Sequence, residues 1–310
     1  MNDPHGPRIV AFAYQEVGYV CLQTLIRRGA NVVAVFTHRD AEGENIWFRS
    51  VAGLAADHGI PVHLPDGPDP ATVRRLSPDL ILSFYYRDLI GEEILALAPL
   101  GAFNMHGSLL PRYRGRAPVN WAVVRGEPET GVTLHHMTAR ADAGPIVDQE
   151  AVPIGPRDSI RVVYERVVAA AAAVLDRQLA NLLAGTAPAR PQDESLATYC
   201  RGRTPEDGRI DWNAPAREVF NLIRGVTHPY PGAFTLADGR RLYIWWGRPE
   251  QTHDDAPGRV TSIQPLRIAC GQGSLQVDSL QWEGACAQRA DDSTHGLYVG
   301  QQLGAAGTHH

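Results

Sequence analysis

The sequence predicts an α/β protein: a Rossmann-like, mostly parallel sheet, then a smaller antiparallel, barrel-like (OB-like) domain. Three observations carry this. Short, wholly apolar runs alternate with helical patterns through the first half, the rhythm of βαβ units in a sheet covered on both faces. From Phe234 onward the pattern is strands only, with turn signals at Asp238-Gly239 and Gly271-Gln272-Gly273, as a small antiparallel barrel requires. Between these halves, residues 186–203 are poor in apolar periodicity and contain Pro188 and Pro191. The expected division is therefore a first domain over 1–189, a linker over 190–203, a second domain over 204–305 and a tail over 306–310.

The elements follow in order. Arg8 to Ala13 is a β-type run, and Glu16 to Arg28 sets Val17, Val20, Cys21, Leu25 and Ile26 at helical spacing. Gly29 closes that helix, and Asn31 to Thr37 is a second buried strand. The first turn, Ala13-Tyr14-Gln15-Glu16, holds no G-x-G-x-x-G, which disfavours a dinucleotide site there. Helical signals span Asn45 to His58, ahead of a short strand at Pro61 to His63. Leu80 to Phe84 is a further apolar strand, followed by Tyr85 to Ile90 and a short helix from Glu92. Gly101 to His106 is the central strand, and Ala117 to Arg125 is a helix expected to turn Trp121 and Val124 inward. Thr130 to Met137 and Ile146 to Pro153 are strands, and Asp158-Ser159 caps a long helix to about Leu183, closed by Gly185. Asn213 is expected to cap a helix with Val219, Phe220, Leu222 and Ile223 inward. Strands then run over Phe234 to Trp246, Arg259 to Ile263, Leu266 to Cys270 and Leu275 to Trp282, before a loose tail from Gly304 to His310.

Composition narrows the function classes. Hydrophobic residues make up 44% and charged residues 20% of the chain, ordinary values for a globular protein. With 29 basic against 34 acidic residues, the net charge of −5 gives no global basic field for nucleic acid or an anionic membrane. The four cysteines are scattered and form no C-x-x-C pair, so no zinc cluster and a reducing, cytoplasmic setting are expected. No signal-peptide core and no membrane-length apolar stretch is read.

The chemistry concentrates after the central strand. Alternation puts Asn104 and His106 on one face of it. The Gly-, Pro- and Arg-rich segment beyond them must loop over the strand's end. An amide donor beside an imidazole at a strand's carboxyl end suits stabilising an oxyanion while moving a proton. A hydrolase triad of Ser108, His106 and Asp142 is disfavoured because Ser108 lacks the G-x-S-x-G elbow. A metal trio of His106, His135 and His136 is disfavoured because adjacent strand residues face opposite ways. Arg112, Arg114 and Arg116 read as anion binders for a glutamate tail or a nucleotide diphosphate.

The segment His106-Gly107-Ser108-Leu109-Leu110-Pro111, with Tyr113-Arg114-Gly115, resembles the signature of the folate-dependent formyltransferases. Gly131 to His135 followed by Ala141-Asp142-Ala143-Gly144 is similar to their second signature. Val10 to Tyr14, Phe36-Thr37-His38, Ser83 to Arg87, Arg203-Thr204-Pro205 and Pro231 to Phe234 resemble the branch acting on UDP-4-amino-4-deoxy-L-arabinose, its formyltransferase half without the decarboxylase. The resemblance implies transfer of a formyl group from 10-formyltetrahydrofolate, without a metal, to that sugar amine, in lipid A modification and polymyxin resistance. It implies Asn104, His106 and Asp142 as catalytic residues. Its implied folate contacts are Asp88, Leu89, Ile90, Arg116, Thr138, Ala139, Arg140, Ala141 and Asp142. Where that branch carries a His, this sequence has Asp88; a backbone contact to the pterin survives that change, whereas a side-chain contact does not. Tyr14, Ser108, Arg112 and Arg114 are candidate contacts to the nucleotide sugar. The alternatives are a dTDP-linked 4-amino hexose as acceptor, methionyl-tRNA as acceptor, hydrolysis of the formyl-folate, or folate binding without turnover.

Overall fold

The computed structural model describes residues 5–40, 43, 45–64, 67–251, 255–291 and 295–304. The first apolar run, Ile9–Ala13 (β1), has every residue buried. Gln15–Arg27 (α1) covers it, and Val32–Phe36 (β2) returns parallel to it, completing the expected βαβ unit. Val51–Asp57 (α2) is shorter than the helical signals from Asn45 imply, because the Ser50 hydroxyl accepts the Gly53 amide and starts the helix there. Val62–His63 (β3) follows. Pro70–Arg75 (α3) has no counterpart in the sequence reading; Asp69 caps the amides of Ala71 and Thr72, with Pro70 in the first turn. Leu80–Phe84 (β4), Glu92–Leu95 (α4) and Ala102–His106 (β5) complete the parallel part.

Two long strands, Glu129–His136 (β7) and Ile146–Pro153 (β8), add antiparallel to the far edge. The sheet order is β3-β2-β1-β4-β5-β7-β8, so the strand order reverses between β1 and β4, with β5 next to it. Ligands gather at the carboxyl ends of strands beside such a reversal. Val10, Phe12, Phe36, Ile81, Ile90 and Ile94 form one core layer against this sheet, each contributing about 1.5–3 kcal/mol by burial. In Pro118–Val124 (α5) the inward stripe is Val119, Ala122 and Val123, at i, i+3 and i+4; Trp121 and Val124, expected inward, flank it half-buried. Ile160–Leu183 (α6) is the long helix, with the Ser159 hydroxyl accepting the Val162 amide.

Residues 190–203, read as a linker, contain structure of their own. A single 3₁₀ turn covers Glu194–Leu196, and Tyr199–Cys200 (β9) pairs in parallel with Arg114–Gly115 (β6). Two compact units result. Met1–Val119, Glu129–Pro153 and Val163–Arg201 form the first; Asn120–Pro128, Ile154–Val162 and Gly202–His310 form the second.

In the second unit, Ala216–Val226 (α7) is capped by Pro215 and not by Asn213, whose side chain bonds Asp211 instead. Val219, Phe220 and Ile223 face the core as expected, while Leu222 sits half-buried at its margin. The hairpin of Ala233–Ala237 (β10) and Arg240–Glu250 (β11) turns at Asp238 and Gly239, whose φ values of 50° and 77° match the tight turn anticipated there. Val260–Ile263 (β12), Leu266–Ala269 (β13) and Ser274–Trp282 (β14) complete the order β10-β11-β14-β13-β12, and Gln288–Arg289 (β15) pairs with β14. The edges are bridged by residues 300–304: Val260 N–H donates to Gln301, and Gly304 N–H donates to Leu236 on β10. Gly304, expected in a loose tail, is thereby fixed, and residues 305–310 lie outside the described residues. Among the described residues no helix is long and apolar enough to cross a membrane.

Candidate active site

β5 ends where the sheet meets two loops, and its register sets the site. Asn104 pairs with Ser83 of β4 on one side and His135 of β7 on the other; His106 pairs with Thr133. The antiparallel turn into β7 is what lays His135 beside Asn104. Their side chains meet, Asn104 Nδ2 to His135 Nε2 at 3.2 Å. His135 Nδ1–H donates to the His136 carbonyl at 2.8 Å. Contact with His135 Nε2 fixes how the Asn104 amide is turned.

His106 is buried, and both its ring nitrogens face oxygen. Nε2–H donates to the Tyr113 carbonyl at 2.8 Å, and Nδ1 stands 3.4 Å from Asp142 Oδ1. That same carboxylate oxygen lies 3.5 Å from His135 Nε2, so Asp142 joins the two imidazoles. Its other oxygen accepts the Gly115 amide at 2.8 Å. Gly115 has φ 103°, and a Cβ there would collide with the Cys200 carbonyl, so only glycine brings this amide to the carboxylate. Burial pushes the Asp142 carboxyl up. The facing charge of His106, the hydrogen bond and charge of His135, and the Gly115 amide outweigh it, holding the group well below the usual carboxylate range.

The structure therefore brings Asn104, His106 and Asp142 together, and adds His135, which sequence reasoning weighed only as a metal ligand. Its place in β7, in register with β5, was the signal that could have found it. His136 points away, its Nε2–H donating to the Pro188 carbonyl. Among the described residues no three His, Cys, Asp or Glu side chains are grouped to hold a metal ion.

The other candidate residues divide. Asp88 and Leu89 are exposed beyond β4, Leu89 by 82%, whereas the Ile90 side chain is buried in the core layer and can offer a ligand only its backbone. Asp88 Oδ2 lies 4.0 Å from His38 Nδ1. Thr138, Ala139, Arg140 and Ala141 are exposed on the loop that carries Asp142, and the Thr138 hydroxyl closes that loop on the Arg140 carbonyl. Arg112 and Arg116 are exposed, and the Arg116 amide donates to Cys200.

Three expected substrate contacts are occupied within the protein. Tyr14 is buried, with its hydroxyl donating to Asp40 at 3.0 Å. Ser108 is buried and donates to the Arg112 carbonyl at 2.6 Å, closing its own loop. Arg114, read as an anion binder, is fully buried; its guanidinium meets Gln192, Glu194 at 2.7 and 3.1 Å, and the Tyr199 hydroxyl at 3.0 Å. A Gly- and Arg-rich loop suggests solvent, but β6 pairs with β9 and turns this side chain inward.

Residues 69–179 match a family model described as formyl transferase, and residues 203–297 match the formyl transferase C-terminal domain. The sugar 3N-formyl transferase WlaRD, crystallised with dTDP and 5-N-formyl-THF, superposes with a TM-score of 0.71 at 18% identity, over 91% of this chain and 100% of its own. An N-formyltransferase from Helicobacter canadensis, in complex with folinic acid and dTDP-3-aminofucose, gives 0.71 at 18%, over 87% and 98%. A sugar N-formyltransferase from Shewanella sp FDAARGOS_354 gives 0.62 at 20%, over 77% and 96%. At these identities the superpositions speak for the fold.

Proposed function

The chain belongs to the folate-dependent formyltransferase family, and from that premise we propose that it moves a formyl group from 10-formyltetrahydrofolate to the amine of a nucleotide-linked sugar. The observation that supports this most is the contact of His106 with Asp142 beside Asn104, at the carboxyl end of β5. The surroundings suit the co-substrate: Leu89 offers an exposed apolar surface, and residues 138–141 of the loop that carries Asp142 are exposed.

When bound, 10-formyltetrahydrofolate supplies a formyl carbon for the amine to attack, so charge develops on the formyl oxygen and the amine nitrogen must lose a proton. Asn104 donates an amide N–H to that oxygen; such donors are worth roughly 3–4 kcal/mol where charge develops in a dry site. His106 takes up the amine proton and returns it to the leaving nitrogen. Asp142 holds the imidazole in place and balances the charge it gains.

For the acceptor we propose UDP-4-amino-4-deoxy-L-arabinose, on the stretches Ser83 to Arg87 and Arg203-Thr204-Pro205. The dTDP and dTDP-sugar ligands of the structural neighbours favour a dTDP-linked amino sugar as the second reading. A methionyl-tRNA acceptor needs a basic face with salt-sensitive affinity, which a net charge of −5 does not support. The test is formyl transfer measured across UDP-4-amino-4-deoxy-L-arabinose, a dTDP-4-amino hexose, dTDP-3-aminofucose, methionyl-tRNA and no acceptor. Turnover with the UDP sugar alone is expected. Preference for a dTDP sugar would establish the second reading; turnover with tRNA, or none beyond formyl-folate hydrolysis, would overturn both.

A further inference from the structure

Gln192 lies in the stretch read as a linker, yet its carboxamide connects both loops of the site. Its Nε2 donates to the Asp142 carbonyl at 2.8 Å and the Gly144 carbonyl at 2.7 Å. Its Oε1 accepts from Arg114 Nε at 3.2 Å and Nη2 at 2.8 Å. Two N–H donors and two lone pairs are all that an amide has, and each is used. The reversed amide would set oxygen against two carbonyls and N–H against a guanidinium, so its orientation is determined.

The loop it holds requires such support. Asp142 has φ 57°, in the left-handed region that costs a side-chain-bearing residue about 1–3 kcal/mol. Gln192 grips the carbonyl of Asp142 itself and that of Gly144 beyond it, so the strained residue cannot relax without breaking a bond. Arg114 in turn is anchored by Glu194, Tyr199 and the β6–β9 pairing. We propose that Gln192 is a positioning residue: it locks the loop in the conformation that aims the Asp142 carboxylate at His106. The proposal rests on the reading above, in which Asp142 acts through His106.

The test is a double-mutant cycle in the full chain, with 10-formyltetrahydrofolate and whichever nucleotide amino sugar the wild-type enzyme turns over. Q192M keeps the length and removes donors and acceptor; Q192E keeps the acceptors for Arg114 and loses the donors. Each should lower kcat by about 10- to 100-fold, the cost of displacing a reacting group by an ångström or less, while both KM values stay within about threefold. In a D142N background, Q192M should cost less than about twofold more, because its effect passes through Asp142. Hydrogen exchange at the Gly115 amide, which bonds Asp142 Oδ2, should be faster in Q192M than in wild type. An unchanged kcat, an equal loss in the D142N background, or unchanged protection at Gly115 would each overturn the proposal. If D142N alone kept full turnover, the reading beneath it would fail instead. Should Q192M not fold, as judged by near-ultraviolet circular dichroism, Q192E carries the same cycle.

Discussion

The Asp142 carboxylate stands 3.4 Å from His106 Nδ1, and their side chains are only 11% and 7% exposed. At that burial an ion pair is screened far less than on the surface. His106 Nε2–H is already committed to the Tyr113 carbonyl, so a second proton taken up on Nδ1 would meet a carboxylate at once. The pair is arranged to carry a proton without exposing it to water.

This arrangement predicts how each partner's loss should read in kinetics. His106→Ala should lower kcat by roughly 100-fold or more, the ordinary contribution of a positioned acid–base group. Asp142→Asn keeps the shape but removes the charge, so a comparable loss in kcat with little change in KM is expected. Steady-state assays with the accepted sugar measure both. Wild-type-like turnover in His106→Ala would remove the imidazole from the chemistry.

The depressed Asp142 carboxyl also makes a stability prediction. A carboxylate whose folded pKa lies below its unfolded value of ~3.9 adds stability above that value and loses it as pH falls toward the folded one. The wild type should therefore outlast Asp142→Asn in thermal melts at neutral pH. That advantage should shrink progressively below about pH 4. Melts followed by circular dichroism from neutral to acid pH test this, and a constant difference throughout would contradict it.

Much of the frame was legible in the residues, and the reasons are local. β4 and β8 are apolar or alternating runs bounded by Pro and turn residues, so their limits show without tertiary knowledge. The Asp238-Gly239 turn dictates its own hairpin. Strand alternation alone placed Asn104 and His106 on one face. Asp142 is different: nothing in its spacing brings a loop carboxylate to an imidazole, and only the resemblance pointed to it. Gln192 carries no pattern at all, because it is defined by partners far along the chain, and His135 shows only through the register of β7 against β5. Arg114 was misjudged for the same reason, since its buried environment is built by residues 192–199.

His135 should matter through the group it holds. Its Nε2 meets the Asn104 amide, so His135→Leu frees that amide to rotate. Asn104→Ala should cost about 10²- to 10³-fold in kcat, as loss of an oxyanion donor does. His135→Leu should cost less, about 10-fold, since the donor remains but is no longer aimed. The double variant should be no worse than Asn104→Ala alone. Kinetics of the three proteins decide it, and additive losses would show that His135 acts elsewhere.

Arg114 separates two roles that one substitution can distinguish. Were its guanidinium an anion binder, Arg114→Lys would mainly raise KM for folate or nucleotide sugar while leaving stability alone. Its five nitrogen–oxygen contacts lie instead on Gln192, Glu194 and Tyr199, inside the protein. A lysine ammonium cannot reproduce that planar fork, and hydrogen bonds to a charged group are worth about 1.5–3 kcal/mol each when lost. Arg114→Lys should therefore lower unfolding stability by about 2 kcal/mol or more in urea. KM for both substrates should change little, and kcat should fall because Gln192 loses its anchor. A variant with wild-type stability and a sharply raised KM would return Arg114 to the substrate.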